Sequence, residues 1–475
     1  MRQAWRPRPG DRVIRHPREE AIRPLHIAAA PPRVPPKNFG SPYILMGGFA
    51  VLICAGTLLL LLPFTNTQEG MTPFSDALFT ATSAVTVTGL IVVDTPTYWS
   101  FSGQLVIMIL IFTGGLGIMT SATFLLIIIG QRITLANRLL MRESLGVNQL
   151  GGLIRLTLRI VFAVVALQII GFLVLFARLV SEYPLATAVW QSGFHAVSAY
   201  NNAGFVIFPN SQSLSAFQQD YGFLIPMTVL IILGTLSYSV LLDVFSYRRF
   251  NRYTLDTKLV VVVTAAMLMV GVLVILVAEY GNPATFGSMP VGAKILNAFF
   301  HSASGRTAGF TTVDFGDMEQ HTNFFLTGLM FIGGASASTA GGIKVNTFAV
   351  LLAAVLSSIG GRTHVTAFGR EIPQPQIYRA LTVLILGLAM VFTVAFFLTI
   401  SEGFPFIQIL FETVSAFATV GLSTGITGEL SQLGQVIIIL TMYFGRIGPL
   451  TLALILAQRE EVAPFRYAEE RIKIG

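Results

Sequence analysis

The chain has 475 residues, 53% of them hydrophobic and only 11% charged, with a net charge of +7. A soluble domain carries about 25% charged residues, so this composition cannot cover a solvated surface, and a multi-spanning membrane protein is the class that remains. One cysteine, Cys54, excludes a disulfide framework and any cysteine-based metal or redox site.

Residues 1–40 are a compositional zone of their own, with eight of the 22 prolines and nine basic against three acidic residues. Such a segment builds no core, and its composition predicts a flexible tail. No apolar stretch follows its first arginines, so it does not read as a secretory signal. Runs of spanning length follow at 43–62, 102–130, 156–180, 222–245, 259–279, 323–355, 380–400 and 434–457, each near or above the ~20 residues that cross a bilayer. They predict an all-α polytopic protein with eight transmembrane helices. Between alternate spans lie semi-polar segments such as 76–89, too short and too polar to cross.

These segments resemble one another. Phe79 to Ala84 leads to Gly89, Phe194 to Ala199 leads to Gly204, and Phe411 to Ala416 leads to Gly421. A fourth copy, from Phe299 to Gly309, keeps the ten-residue interval but has Ala303-Ser304 in place of Ser-Ala. The glycines are 115, 105 and 112 residues apart. Four copies of span, reentrant segment, span describe the chain: 41–130, 131–245, 246–357 and 358–458, followed by a tail at 459–475.

Basic residues set the orientation. Nine lie in the N-terminal tail, five in 131–159, four in 246–258, three in 360–379 and four after Gln458, 25 of 30 in all. That side, with both termini, is predicted to be cytoplasmic. The opposite loops are acidic, with Asp94, Glu182, Asp220, Asp314, Asp317, Glu319, Glu402 and Glu429. All four glycine segments therefore enter from outside, a parallel arrangement rather than an inverted repeat.

Irregular backbone at membrane depth is tolerated where it lines water or is buried in protein. Each segment reads as a short helix followed by an extended strip: Val85, Thr86, Val87, Thr88, Gly89; Tyr200, Asn201, Asn202, Ala203, Gly204; Gly305, Arg306, Thr307, Ala308, Gly309; and Phe417, Ala418, Thr419, Val420, Gly421. A cation filter needs rings of backbone carbonyls in place of a hydration shell, and glycine lets the backbone turn a carbonyl to the axis without a Cβ clash. The strips hold no acid, which suits a dehydrated monovalent ion. One such glycine would more readily be a helix-packing device; four at matched spacing favour the filter. Arg306 would repel cations if it faced the pore, so it is expected to turn behind the strip and brace it.

The strip from Thr82 to Leu90 and its three partners resemble the filter loops of the Trk/Ktr/HKT superfamily of potassium transporters, a likeness extending over essentially everything after residue 40. With eight spans the chain is most similar to the membrane subunits of the bacterial Ktr systems. In that family glycine in the first filter goes with potassium selectivity, and this chain has glycine in all four strips. The resemblance implies potassium uptake, stimulated by sodium, across the bacterial plasma (inner) membrane. It also implies a homodimer of two pores on a cytoplasmic ring of nucleotide-binding, KtrA-type regulatory subunits. A sodium-permeable or proton-coupled member of the superfamily is the alternative. The basic loops 131–155 and 246–258 are predicted docking surfaces, which anionic lipid headgroups would also attract.

The span at 323–355 is interrupted by Gly333, Gly334, Ala335, Ser336, Ala337, Ser338, Thr339, Ala340, Gly341 and Gly342, ending at Lys344. Four glycines cost a helix roughly 1 kcal/mol each, and the run is too polar to face lipid, which places it in a cavity beneath the filter. By resemblance it is the family's intramembrane loop, blocking the cytoplasmic half of the pore, and Arg446 of the last span matches a basic residue that forms an electrostatic barrier beside it. Lys344 reads equally as part of this gate or as a snorkelling cation.

Among the remaining charges, Asp76 is expected to cap the first reentrant helix, Glu412 to add negative potential at the outer mouth, and Asp243 to pair with Arg248 and Arg249. The histidines show no metal-ligand spacing, and His195 and His301 are expected to bond to nearby backbone. No phosphate-binding, dinucleotide or catalytic-triad motif occurs in the sequence. The expected cargo is K+, with Na+ as activator or co-ion, no cofactor in this chain, nucleotide only on the partner, no nucleic acid and no enzymatic activity.

Overall fold

The computed structural model describes residues 41–68, 70–117, 120, 153–208, 214–247 and 249–448. The two tails and loop 131–152, on which the tail expectations and most of the first docking loop fall, lie outside the described residues. Helix dominates. In chain order the helices are α1 (Ser41–Leu60), α2 (Phe74–Thr86), α3 (Phe101–Leu116), α4 (Leu153–Leu179), α5 (Leu185–Tyr200), α6 (Tyr221–Thr235), α7 (Tyr238–Ser246), α8 (Leu255–Glu279), α9 (Val291–Ser304), α10 (Gln320–Phe331), α11 (Val345–Ile359), α12 (Gln374–Ser401), α13 (Phe406–Phe417) and α14 (Gln432–Ile447), besides single turns. Among the described residues the strands are a two-residue hairpin, Thr366–Ala367 antiparallel to Arg370–Glu371.

Helices α4, α8 and α12 are each long and apolar enough to cross a membrane, and α6 with α7 passes the same test as a pair bent by 106°. The other apolar helices are shorter, and the run at 323–355, expected to be interrupted at 333–342, is two helices, α10 and α11, separated by the loop 332–344. Large side chains on the outer faces are bare, Phe162 and Phe392 being 77% and 73% exposed. In a protein of this composition such positions face lipid rather than water.

The reentrant helices α2, α5, α9 and α13 have 13, 16, 14 and 12 residues. At 1.5 Å per residue they reach about 20 Å, short of a ~30 Å hydrocarbon core. Each is preceded by proline at its N-cap, Pro73, Pro184, Pro290 and Pro405, with φ between −65° and −53°. The ring fixes the dihedral at which the chain turns into the helix, where a missing N–H costs nothing.

Packing runs around a circle. The helix after each strip lies on the reentrant helix of the next repeat: α3 on α5, α6 on α9, α10 on α13, and α14 back on α2. The equivalent phenylalanines Phe79, Phe194, Phe300 and Phe411 are all fully buried.

Candidate ion pathway

Each reentrant helix ends in a strip whose backbone alternates in hand. Two residues before each glycine stands a left-handed residue: Val87 at φ +57°, Asn202 at +56°, Thr307 at +82° and Thr419 at +49°. The glycines follow at +92°, +70°, +76° and +93° for Gly89, Gly204, Gly309 and Gly421. Three of the four non-glycine residues are β-branched, for which this region is strained by about 1–3 kcal/mol. Strain repeated at one register of four repeats is held there by the surrounding packing.

The glycines close a ring. A methyl group on Gly89 would overlap the Ala203 carbonyl oxygen and lie 3.0 Å from the Gly204 Cα. One on Gly204 would lie 3.0 Å from the Ala308 oxygen, one on Gly309 would overlap the Val420 oxygen, and one on Gly421 would overlap the Thr88 oxygen. So the carbonyls of Thr88, Ala203, Ala308 and Val420, one from each repeat at the same register, stand against the preceding repeat's glycine, with Thr88 closing the circuit on Gly421. Such a ring of peptide dipoles can take the place of water around a cation.

Cavities lie on both sides of the strips. One of about 330 Å³ is lined by all four glycines, by Leu90 to Thr95, and by Asp314, Ser423 and Thr427. The other, about 410 Å³, is lined by Gly115, Tyr200, Asn201, Gly234, Ser237, Lys344 and Arg446, with Ala337 to Ala340 of the loop in its wall.

Serines hold the strips from behind. Gly89 N donates to Ser83 Oγ at 3.0 Å and Gly421 N to Ser415 Oγ at 3.1 Å, while Ser198 Oγ donates to the Phe205 carbonyl at 2.9 Å and Ser304 Oγ to that of Phe310 at 2.5 Å. These serines each fall four residues after a buried phenylalanine, and in the third repeat that residue is Phe300, not Phe299. The third repeat is therefore one residue shorter between helix and glycine, and the ten-residue interval from Phe299 does not follow its structural register. Helix α9 correspondingly ends at Ser304, with Gly305 N bonded to the His301 carbonyl at 2.8 Å.

Arg306 is buried, and its Nη2 donates to the Gly333 carbonyl at 3.1 Å and reaches Thr264 Oγ1 at 3.5 Å. It thus turns away from the ring, towards the start of the loop. The loop is itself ordered by backbone bonds: Gly333 N to the Ile343 carbonyl at 2.9 Å, Ala335 N to that of Thr235 at 2.9 Å, and Val345 N to that of Gly334 at 3.0 Å. Ser336 N is held by Asn346 Oδ1 at 2.8 Å. Thr339 is its most connected residue. Its hydroxyl donates to the Gly234 carbonyl at 2.9 Å, the Asn202 side-chain amide lies 3.2 Å away, and its carbonyl accepts from Arg446 Nη1. Arg446 Nη2 also donates to the Gly114 carbonyl at 2.7 Å, so one guanidinium joins first repeat, loop and last helix. Lys344 Nζ bonds back to the Ala340 carbonyl. A methyl on Gly341 would overlap the Thr419 side chain, which seats the loop directly beneath the fourth strip.

Two charges differ from expectation. The α2 cap position is Pro73, and Asp76 sits inside the first turn, accepting from Ser75 Oγ at 3.1 Å. The proline has already fixed the helix start. Asp243 accepts from Thr254 N, Thr254 Oγ1 and Thr257 Oγ1 at 3.2, 2.8 and 2.7 Å, in place of the expected arginine pair; Arg248 is outside the described residues. Three local donors at the start of α8 satisfy this carboxylate without a cation. His195 Nδ1 lies 2.8 Å from the Gln191 carbonyl, but the partner of His301 Nε2 is the Thr312 side chain, at 2.7 Å. Sequence reasoning noted the serines without assigning them a bonding role and passed over the prolines, although both recur once per repeat. It also passed over the glycines of the following helices: methyls on Gly114, Gly234 and Gly445 would overlap the carbonyls of Val85, Tyr200 and Phe417.

The chain matches the TrkH family, described as cation transport protein, over residues 48–463. It is 42% identical to the Ktr system potassium uptake protein B of Bacillus subtilis over 92% of this chain and 97% of that protein. It is 40% identical to the protein of the same name from Vibrio alginolyticus, over 92% and 95% of the two chains. It is 38% identical to the potassium/sodium uptake protein NtpJ of Enterococcus hirae, over 92% and 98%. In fold it is similar to the crystal structure of the potassium transporter TrkH from Vibrio parahaemolyticus, with a TM-score of 0.70 at 18% identity over 90% of this chain and 86% of that one.

Proposed function

The chain belongs to the TrkH family of cation transport proteins, and from that premise we propose that it takes up potassium through the ring formed by Gly89, Gly204, Gly309 and Gly421. The observation that carries this reading is the closed circuit of one glycine and one carbonyl per repeat, with a cavity on either side. A cation enters the outer cavity, where Asp94 and Asp314 favour positive charge. It sheds water as the carbonyls of Thr88, Ala203, Ala308 and Val420 replace its hydration shell. The strips supply no fixed charge to the ring, so a weakly hydrated monovalent ion loses least on entry. Val87, Asn202, Thr307 and Thr419, one residue deeper in each strip, would line the ion's path next.

Beyond the ring the ion meets the loop 333–342, which we read as the gate. In this arrangement the loop is bonded on three sides, to Thr235 and Gly234 of α6, to Arg446 of α14 and to Arg306 of the third strip. Arg446 adds positive charge to the inner cavity wall, which the Lys344 amine also lines, and like charge in a low-dielectric cavity opposes a passing cation. Conduction then requires the loop and Arg446 to move together. The same reading includes a plasma-membrane location with cytoplasmic termini, two such chains in a dimer, a nucleotide-binding regulatory ring on the cytoplasmic face, and stimulation by sodium.

The test is flux of potassium, rubidium and sodium into liposomes holding the purified chain, with and without deletion of 334–341. Potassium and rubidium flux well above sodium supports the reading. Equal sodium flux moves the chain to a sodium-permeable function, and absence of flux from both proteins overturns it.

A further inference from the structure

The residue that follows the buried phenylalanine of each reentrant helix is Thr80, His195, His301 or Glu412, and each is buried to 2% exposure or less. These four positions sit three residues before the serines that hold the strips, so they form a second ring behind the first. Their partners are also equivalent. His195 Nε2 lies 3.5 Å from the N–H of Ile207, His301 Nε2 lies 2.7 Å from Thr312 Oγ1, and Glu412 Oε1 accepts from Thr424 N at 3.1 Å. Ile207, Thr312 and Thr424 each stand three residues after the filter glycine of their repeat. Among the described residues Thr80 Oγ1 has no hydrogen-bond partner. Three quadrants therefore carry a hydroxyl or an imidazole at this position, and the fourth carries a carboxylate.

We propose that Glu412 determines ion affinity and selectivity at the outer end of the filter, pinning residues 423–427, which follow the fourth strip, and supplying the negative charge that the strips themselves lack. The inference rests on the reading of the chain as a potassium pathway. Three donors converge on this carboxylate: Ser423 Oγ and Thr424 N on Oε1, and Thr427 Oγ1 on Oε2 at 2.9 Å. Among the described residues no lysine, arginine or histidine pairs with it. A buried carboxylate with hydrogen bonds and no counter-cation is costly to maintain, unless a cation visits nearby. Its two hydroxyl partners, Ser423 and Thr427, line the outer cavity that the filter glycines also line. The pinned segment is also where the ring of repeats is clasped from outside. The ideal methyl positions of Gly316 and Gly428 lie 3.1 Å from the Thr424 carbonyl and 3.6 Å from that of Val92, linking the fourth repeat to the third and first.

Charge and positioning make separate predictions, measured as rubidium uptake against concentration and as the rubidium-to-sodium ratio. Both are taken on the full chain in liposomes and again in the 334–341 deletion background. Three residues of extended chain reach about 10 Å, and at an effective dielectric constant near 20 a unit charge over that distance changes ion binding by about tenfold. Glu412→Gln, which keeps the acceptor and removes the charge, is expected to raise the half-saturating rubidium concentration about three- to tenfold with the maximal rate kept within about twofold. Glu412→Asp should recover most of that affinity. Thr427→Val, which keeps the charge and removes one tie, should lower the rubidium-to-sodium ratio and leave half-saturation nearly unchanged. A Glu412→Gln protein with wild-type half-saturation and wild-type ion ratio would overturn the inference, as would one that lost only its maximal rate. If Glu412→Gln does not yield monodisperse protein, the split between Glu412→Asp and Thr427→Val decides the matter by the same criteria. A wild-type chain that moves no rubidium in either background overturns the potassium reading itself, which no change confined to the Glu412 variants can do.

Discussion

Arg306 of the third strip is bonded through Nη2 to the carbonyl of Gly333, the first residue of the loop, at 3.1 Å. The side chain that would have obstructed the ring therefore ties the strip of one repeat to the first residue of the loop. The same guanidinium also reaches Thr264 Oγ1 at 3.5 Å, and among the described residues Arg306 Nε has no partner.

Replacing Arg306 by methionine keeps the length and removes the bond, leaving the buried Gly333 carbonyl with the Arg306 donor gone. A hydrogen bond from a charged donor is worth about 1.5–3 kcal/mol, which for a chain of this size is expected to lower the thermal midpoint by roughly 3 °C or more. Fluorescence-detected size exclusion after heating measures the shift. An unchanged midpoint would show that the loop hinge does not depend on the strip.

Gly89→Ser is expected to reduce discrimination of potassium over sodium. At φ +92° a side chain is strained whatever the space, and its Cβ would overlap the Ala203 carbonyl across the repeat boundary. The ring must widen or that carbonyl must rotate. Gly47→Ala, where a methyl meets nothing within 4 Å, is the matched control and should leave the flux ratio unaltered.

Arg446→Gln should raise basal rubidium flux in the absence of any regulatory subunit. The substitution shortens the side chain and removes the forked donor that holds Thr339 and Gly114 together. It also takes a positive charge from the cavity wall. If flux falls while the protein stays folded, the guanidinium opens the pore rather than closing it.

A milder change of the same contact is Thr339→Val, which deletes the hydroxyl bond to Gly234 while keeping the shape. A single neutral bond is worth about 0.5–1.5 kcal/mol, so basal flux should rise by about two- to tenfold. Combining it with Arg446→Gln should give less than the product of the two effects, since both act on one residue.

The four-repeat architecture was legible in the sequence because the features that make it are local. A phenylalanine, a small polar run and a glycine recur within about ten residues, and the polar loop at 333–342 breaks its helix by composition alone. The third repeat shows the limit of that argument. Phe299 and Phe300 are adjacent, and both fit a local pattern, but only the bond from Ser304 to Phe310 shows which one matches Phe79, Phe194 and Phe411. The cap of α2 was placed on Asp76 because acidic side chains favour helix starts, whereas Pro73 had already set the turn. Asp243 finds its donors 11 and 14 residues away, across a turn into α8. Arg446 and Gly114 are 332 residues apart in sequence. Contacts of that range follow from how repeats close on one another, and no window of sequence contains them.

The circuit of packing that ends with α14 on α2 has one further consequence. A pore assembled from four identical subunits must repeat every substitution four times and can lose a member by dissociation. Here the quadrants share one covalent chain, so each faces its neighbours at a high effective concentration and each can vary alone. Asymmetry is therefore available to this ring without a change of stoichiometry. Among the described residues, a carboxylate at Glu412, an arginine at 306 and a loop at 333–342 each occur in one quadrant, and four-fold identity would have forced all of them to occur four times around a single axis.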